Sequence, residues 1–383
     1  MIFEATTEKN HLGIKCVQMI DSLGTGGAQR MVVLLAYMCA EKKIPFTVIS
    51  LANDPDSDNA REIRSYSGRV VNFPANRLLD INRLISIRNF LCREKFDLMH
   101  SYLTYANIIG CLSGSLAGLP VISSLRNLRD SPLHYHPGRR FIETFCLNFL
   151  AKRVMSNGYA IAQVNSQRIK TKDIDIIPNA IVVPELISSE ERKTIREELV
   201  GDNSRPIIIS TGRLVPLKGF ADLIDAINSV KDIFPDIVLL IAGSGVTLPE
   251  LENQVKKLGL SNHVKLLGYR KDIPRLLQAS DVYVSASISE GMSVAILEAM
   301  AGGVPVITTD VGDATRVVIE GTGVIVPIHR PDMIASTLVS FLKDPDCMKQ
   351  MGIFVRLRVC QNYNPEKWLK DILALYDKAV SKR

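Results

Sequence analysis

PIIISTGRLVPLKGFADLIDAINSVKDIFPDIVLLIAG, residues 206–243, decides the fold. PIIIST (206–211) is an unbroken apolar run that ends in a glycine-containing loop, a helical stretch follows near 219–232, and IVLLIAG (237–243) is a second apolar run. Short apolar runs without polar alternation are strands covered on both faces, and two of them joined through a helix make a βαβ unit of a parallel sheet.

The rhythm continues on both sides. Downstream come a helix near 248–258, VKLLG (264–268), DVYVSAS (281–287), a helix near 293–302, PVITTD (305–310) and GVIVP (323–327). Upstream, IKCVQMI (14–20) precedes the helical AQRMVVLLAYMCA, and FTVIS (46–50), VVNF (70–73), helical periodicity over 81–94, DLMHS (97–101) and PVISS (120–124) follow. Two doubly wound α/β domains are expected. Between them, two prolines precede a helix that Ser188 or Ser189 opens with Glu191 in capping reach. The hinge is therefore set near Pro184, with domains at 1–184 and 185–362. A last segment, 363–383, puts Trp368, Leu369, Ile372, Leu373 and Tyr376 at helical spacing, an apolar face that must be buried.

Composition narrows the function classes. A chain of 383 residues holds two to three domains, and 46% hydrophobic with 22% charged residues excludes a disordered or fibrous protein. The longest apolar run, MVVLLAYMCA (31–40), is about half of a membrane span. MIFEATTEKNHLGIK has no basic start followed by an apolar core, so a cytoplasmic location is expected. Seven cysteines without a Cys-x-x-Cys pair point to reduced thiols, and no metal site is expected. The net charge of +6 suits an anionic substrate or an acidic membrane surface, but no basic run is interleaved with aromatics, so no nucleic-acid partner is expected.

Ligands of open α/β sheets bind beyond the carboxyl ends of the strands, so the loops there matter most. In DSLGTGGAQR (21–30), Gly24, Gly26 and Gly27 allow close backbone approach, but Gln29 and the missing acidic residue after the next strand break the dinucleotide fingerprint and disfavour a dehydrogenase. STGRLVPLKGF (210–220) carries two cations, Arg213 and Lys218, suited to a diphosphate, although surface cations have the same pattern. IAGSGVTLPELE (241–252) ends a strand with Gly243 and Gly245. EGMSVAILEAMAGGVPVI (290–307) places Glu290 before a helix that Ser293 caps and Glu298 inside it; the plainer reading is a capping loop and a surface glutamate. Asp54-Pro55-Asp56 looks like a metal-binding Asp-x-Asp triplet but lies among turn residues and reads as solvated surface.

Together, residues 210–220, 241–245 and 290–307 resemble the C-terminal half of the retaining glycosyltransferases of family 4, and the Gly26-Gly27-Ala28 loop resembles that family's N-terminal glycine loop. The resemblance implies the GT-B fold, two Rossmann-like domains facing each other across a cleft that closes to exclude water, with the terminal helix returning to the first domain. It implies transfer of a sugar from a UDP-, GDP- or ADP-sugar without a metal cofactor. Arg213 and Lys218 then match the pair that neutralises the diphosphate, Glu290 the carboxylate that orients the sugar, and Glu298 the one on the ribose diol. Gly291, Met292, Ser293 and Val294 match amides facing sugar and phosphate, and Gly268 and Arg270 the base contacts. His100 matches a strand-end histidine of the family with a catalytic or acceptor role, beside Tyr102 where a second histidine is common. Leu125-Arg126-Asn127 stands where many members have another histidine, and Ala180 replaces a common glycine.

Acceptors in this family bind the first domain. RRFIETFCLNFLAKRV (139–154) combines Phe141, Phe145, Phe149 and Leu150 with Arg139, Arg140, Lys152 and Arg153, a composition suited to an interfacial helix on anionic lipid or to a helix packed on the sheet. The expected function is extension of a glycan or lipid-linked acceptor in cell-envelope polysaccharide or lipopolysaccharide synthesis, at the inner face of the cytoplasmic membrane. A nucleotide-sugar hydrolase or epimerase of the same fold and a non-catalytic sugar-nucleotide binding protein are the alternatives.

Overall fold

A computed structural model of the chain describes residues 13–128 and 137–381. The amino-terminal stretch read as lacking a leader lies largely outside them. The chain forms two compact units: one holds the described residues through Asn157, then Ile161–Ile177 and the helix from Glu366, and the other holds Gly158–Ala160 and Pro178–Pro365. The chain thus passes between units at Ile177–Pro178, ahead of the Pro184 expected from the proline pattern.

In the first unit the strands are β1 (Cys16–Ile20), β2 (Thr47–Ser50), β3 (Arg69–Asn72), β4 (Leu98–Tyr102), β5 (Val121–Leu125), β6 (Arg153–Ser156) and β7 (Ile174–Ile176). They pair in parallel in the order β3-β2-β1-β4-β5-β6-β7. The order reverses between β1 and β4, which opens a crevice at their carboxyl ends. The stretch 139–154 is not one helix. The helix Pro137–Phe145 runs into a π-helical turn, Cys146–Leu150, and Arg153 begins β6 and pairs with Asp175. Val154 and Met155 are wholly buried beside β5, which pulls the chain out of the helix at Ala151.

The helix Pro365–Val380 belongs to this unit from Glu366 onward. Trp368, Leu369, Ile372, Leu375 and Tyr376 are buried on it, whereas Leu373 is half-buried. At about 1.5–3 kcal/mol for each large buried apolar side chain, this face holds the helix in place without help from intrinsic propensity.

The second unit contains β8 (Ile207–Thr211), β9 (Val238–Ala242), β10 (Val264–Gly268), β11 (Val282–Ser285), β12 (Val306–Thr309) and β13 (Gly323–Val326). Their parallel order is β10-β9-β8-β11-β12-β13, with the reversal between β8 and β11. The helix Phe220–Val230 buries Phe220, Leu223, Ile224, Ile227 and Val230, the 3.6-residue stripe that covers one sheet face. Ser188 caps the helix Ser189–Val200 by accepting from the Glu191 amide at 3.0 Å.

Candidate active site

In the second unit the loops after β8, β9 and β11 are packed into one surface at the reversal point. Leu214 donates its amide to the Ser244 carbonyl at 2.9 Å, and Ile288 donates to the Leu217 carbonyl at 2.8 Å. Gly219 has φ +64 and follows the short turn Pro216–Lys218; a β-carbon there would collide with the Ala286 carbonyl, so only glycine lets the loop after β8 lie against the loop after β11. A β-carbon on Gly243 would likewise strike the Gly212 carbonyl.

This packing brings Lys218 to Glu290. The ammonium donates to Glu290 Oε1, the Ser287 hydroxyl donates to the same oxygen at 2.9 Å, and the two side chains are only 21% and 16% exposed. Thr309 fixes the Ser287 carbonyl from below at 2.5 Å. Ser293 caps the helix Val294–Ala301, accepting from the Ile296 amide at 3.4 Å, and the first turn of that helix contains no acidic residue. Glu298 is half-buried on this helix. Tyr283 registers both carboxylates: burial first, then the charges of Glu290 and Glu298, push its phenol up, while Thr211 pulls it down.

Arg213 is exposed at the start of its loop. Gly268 ends β10 and accepts the Gly243 amide at 2.8 Å, and Gly245 lies close against Leu214. Arg270 is held by Asp272 of its own loop, with Nε 2.8 Å from Oδ1, which raises the guanidinium above its usual range. Gly291 accepts the Asp313 amide at 3.0 Å. Met292 is a buried core side chain whose carbonyl accepts from Asn179 at 3.0 Å, and Val294 is buried behind it.

In the first unit, Gly26 and Gly27 start the helix Gly27–Glu41, and the loop before them is fastened by polar side chains. Asn59 donates to the Leu23 and Gly24 carbonyls at 3.1 and 2.6 Å, Gln29 donates to the Ser22 carbonyl at 3.2 Å, and the Leu23 amide donates to the Asp54 carboxylate. Asp54 also accepts from Ser50 at 2.6 Å and Asn72 at 3.1 Å. Asp54 is thus a loop anchor, contrary to its reading as solvated surface.

His100 is a further correction. Its side chain is 0% exposed, its Nδ1 is 2.9 Å from Tyr376 Oη and 3.0 Å from Tyr102 Oη, and the Tyr102 hydroxyl donates to Gln18 at 3.0 Å. Burial, aided by the Arg126 charge, holds the imidazole well below its ordinary pKa and so neutral. A catalytic or acceptor contact expected from its strand-end position is replaced by a sealed network that fastens the terminal helix.

Three carboxylates escaped the sequence reading. Asp21, just after β1, accepts the Ala106 amide at 2.6 Å and so caps the helix Thr104–Leu116; burial pushes its carboxyl up to about 7. Buried Glu143 accepts from Arg168 at 2.9 Å, and Asp281 accepts from Arg192 and Arg196 at 2.7 and 3.1 Å. Their partners lie 25 to 89 residues away along the chain, beyond any local pattern. The position of Asp21 immediately after a strand was the one available signal.

The model of "Glycosyl transferases group 1" matches residues 191–358, and that of "Glycosyltransferase Family 4" matches residues 25–183. The chain is a family 4 glycosyltransferase. The glycosyltransferase has the GT-B fold and is a hexosyltransferase-type enzyme. It is 27% identical over 318 residues, 79% of this chain and 81% of the relative, to the UDP-Gal:alpha-D-GlcNAc-diphosphoundecaprenol alpha-1,3-galactosyltransferase of Escherichia coli. It is 28% identical over 287 residues, 69% of this chain and 68% of the relative, to the D-inositol 3-phosphate glycosyltransferase of Corynebacterium glutamicum. Among solved structures, Anabaena HepE in complex with UDP-glucose aligns with a TM-score of 0.85 at 22% identity, covering 95% of this glycosyltransferase and all of that chain. No helix among the described residues is long and apolar enough to cross a membrane.

Proposed function

We propose that this glycosyltransferase moves a sugar, with retention at the anomeric carbon, from a UDP-, GDP- or ADP-sugar to a hydroxyl of a glycan or lipid-linked acceptor in cell-envelope polysaccharide or lipopolysaccharide synthesis. The observation that carries this reading is the Lys218–Glu290 pair, held by the packed loops after β8 and β11 at the point where strand order reverses. Lys218 and Arg213 bind the diphosphate and stabilise it as it leaves, Glu290 orients the sugar hydroxyls, and Glu298 binds the ribose diol. The amides of Gly291, Met292, Ser293 and Val294, at the start of a helix whose first turn is free of acidic residues, add positive potential where charge develops. Gly243 and Gly245 line the donor, and Gly268 with Arg270 faces the base. The acceptor hydroxyl attacks on the face from which the diphosphate departs, and the diphosphate takes its proton. With cations and a helix start at the leaving group, the reaction runs without a divalent metal.

The Escherichia coli relative, whose name gives a sugar linked to diphosphoundecaprenol as acceptor, supports an acceptor of this kind. Support for contact with an anionic membrane comes from Phe141, Phe145 and Phe149, which are 74%, 48% and 67% exposed at four-residue spacing along the helix and the π-helical turn that follows it, near Arg139, Arg140 and exposed Lys152. Thermal-shift screening against UDP-, GDP- and ADP-sugars, followed by transfer assays with and without chelator, tests the reading. A stabilising nucleotide sugar and chelator-resistant turnover are expected; turnover abolished by chelator contradicts the metal-independent mechanism. Flotation with anionic liposomes tests the membrane contact, and no association removes it.

A further inference from the structure

Ser287 follows β11 by two residues and is 2% exposed, and its hydroxyl donates to Glu290 Oε1 at 2.9 Å. The Lys218 ammonium donates to that same oxygen. Among the described residues, Oε2 of Glu290 accepts no hydrogen bond. Both protein donors thus converge on one carboxylate oxygen, and the other keeps its full capacity to accept from a sugar hydroxyl. Paired with an ammonium, the carboxylate only accepts, which sets the direction of the chain: Ser287 donates to Glu290, and Ser285, whose Oγ lies 3.4 Å from that of Ser287, donates to Ser287.

The backbone under this chain is clamped from two sides. The Ile288 amide donates to the Leu217 carbonyl at 2.8 Å, and Thr309, 1% exposed at the end of β12, donates its hydroxyl to the Ser287 carbonyl at 2.5 Å. Gly312, at φ +58, lies so close that a β-carbon on it would strike the Glu290 and Gly291 carbonyls, and the Asp313 amide donates to the Gly291 carbonyl at 3.0 Å. Ser287 carries this rigidity to the Glu290 side chain. The two donors on Oε1 differ in freedom: lysine holds its ammonium on a flexible four-carbon stem, whereas one torsion places a serine oxygen. A diphosphate that takes the Lys218 ammonium leaves Ser287 as the donor still on Oε1.

We propose that Ser287 is a positioning residue for the transferred sugar: it holds Glu290 by Oε1 when Lys218 turns to the donor diphosphate, and so aims Oε2 at the sugar hydroxyls. The assignment rests on the donor-site roles given above to Lys218 and Glu290, and it adds the group that keeps the carboxylate in place once the ion pair opens.

The test titrates the full chain calorimetrically with UDP-glucose, UDP-galactose, GDP-mannose and ADP-glucose, each beside its own nucleoside diphosphate, and reads the ratio of the two affinities for the pair that binds best. Ser287→Ala should leave the nucleoside diphosphate within about twofold of the parent and lower the ratio by about fivefold or more, the loss expected for one hydrogen bond. Thr309→Val, which keeps the side-chain shape and removes the clamp on the Ser287 carbonyl, should lower the ratio in the same direction by less; melting temperatures check that each variant is folded. Glu290→Ala should lower the ratio as well, and adding Ser287→Ala to it should change nothing further, because Ser287 acts through that carboxylate. Losses that multiply in the double variant, or a ratio unmoved by Ser287→Ala and Thr309→Val while Glu290→Ala lowers it, overturn the positioning role alone. A ratio unmoved by Glu290→Ala itself, or a parent chain that binds none of the nucleotide sugars, is instead a failure of the donor-site reading, and the role of Ser287 falls with it.

Discussion

Glu290 competes for the cation proposed to hold the donor diphosphate, and this gives the two members of the ion pair opposite signatures. Lys218 donates to Glu290 Oε1, and both side chains are about four-fifths buried. A hydrogen bond to a charged group contributes about 1.5–3 kcal/mol, so Lys218→Ala should weaken nucleoside diphosphate binding by roughly 10- to 150-fold and slow transfer similarly. Glu290→Gln removes the competing negative charge and keeps an oxygen that can accept from Ser287. Nucleotide affinity should then stay level or rise by up to about tenfold, while turnover falls at least about tenfold because the sugar hydroxyls lose a carboxylate. Calorimetry with UDP and GDP, set beside initial rates with the donor found by screening, reads both quantities. Removing one partner of a mostly buried pair leaves the other charge uncompensated, so a lower melting temperature is expected in both variants and binding is compared at a temperature where each is folded. Unchanged nucleotide affinity in Lys218→Ala, or equal losses of affinity and turnover in Glu290→Gln, would refute the division of roles.

The terminal helix supplies a second test: Tyr376→Phe removes a hydroxyl from His100 and Gln18 and should cost about 1–2 kcal/mol in denaturant unfolding, whereas an unchanged midpoint would mean the network is not holding the helix. Gly219→Ala forces a side chain into the left-handed region and onto the Ala286 carbonyl, so a loss of order 1–3 kcal/mol is expected, and an unaltered melting temperature would show that the loops separate freely. For Asp21 the sign follows from a folded pKa of about 7 against an ordinary 3.8. Its contribution is full at low pH and is lost as pH rises from about 4 through 7, since the unfolded chain ionises first. Asp21→Asn, which keeps an acceptor for Ala106 but has no proton to lose, should therefore gain in melting temperature relative to the parent between pH 4.5 and 7.5; a difference independent of pH would contradict this.

Local periodicity was enough for most of the architecture. Unbroken apolar runs such as Ile207–Ile209 and Ile237–Ala242 bury both faces of a strand, and a run of that kind is visible whatever packs on it. The helix start at Ser188 and the cap at Ser293 were legible because the capping oxygen and the amide it accepts are three residues apart. The short strands Arg153–Ser156 and Ile174–Ile176 were not, because three or four residues beside a helical pattern carry too little signal against it.

Two parallel-sheet units could be read from the residues alone, since helix and strand patterns are local properties. Which polar groups meet depends on packing between segments far apart in the chain. Lys218 reaches Glu290 across 72 residues because two loops pack through Gly219, and His100 is sealed by Tyr376 from 276 residues away. Whether a polar side chain serves a ligand or the core depends on what covers it, and cover comes from distant segments whose arrival no short window of sequence contains.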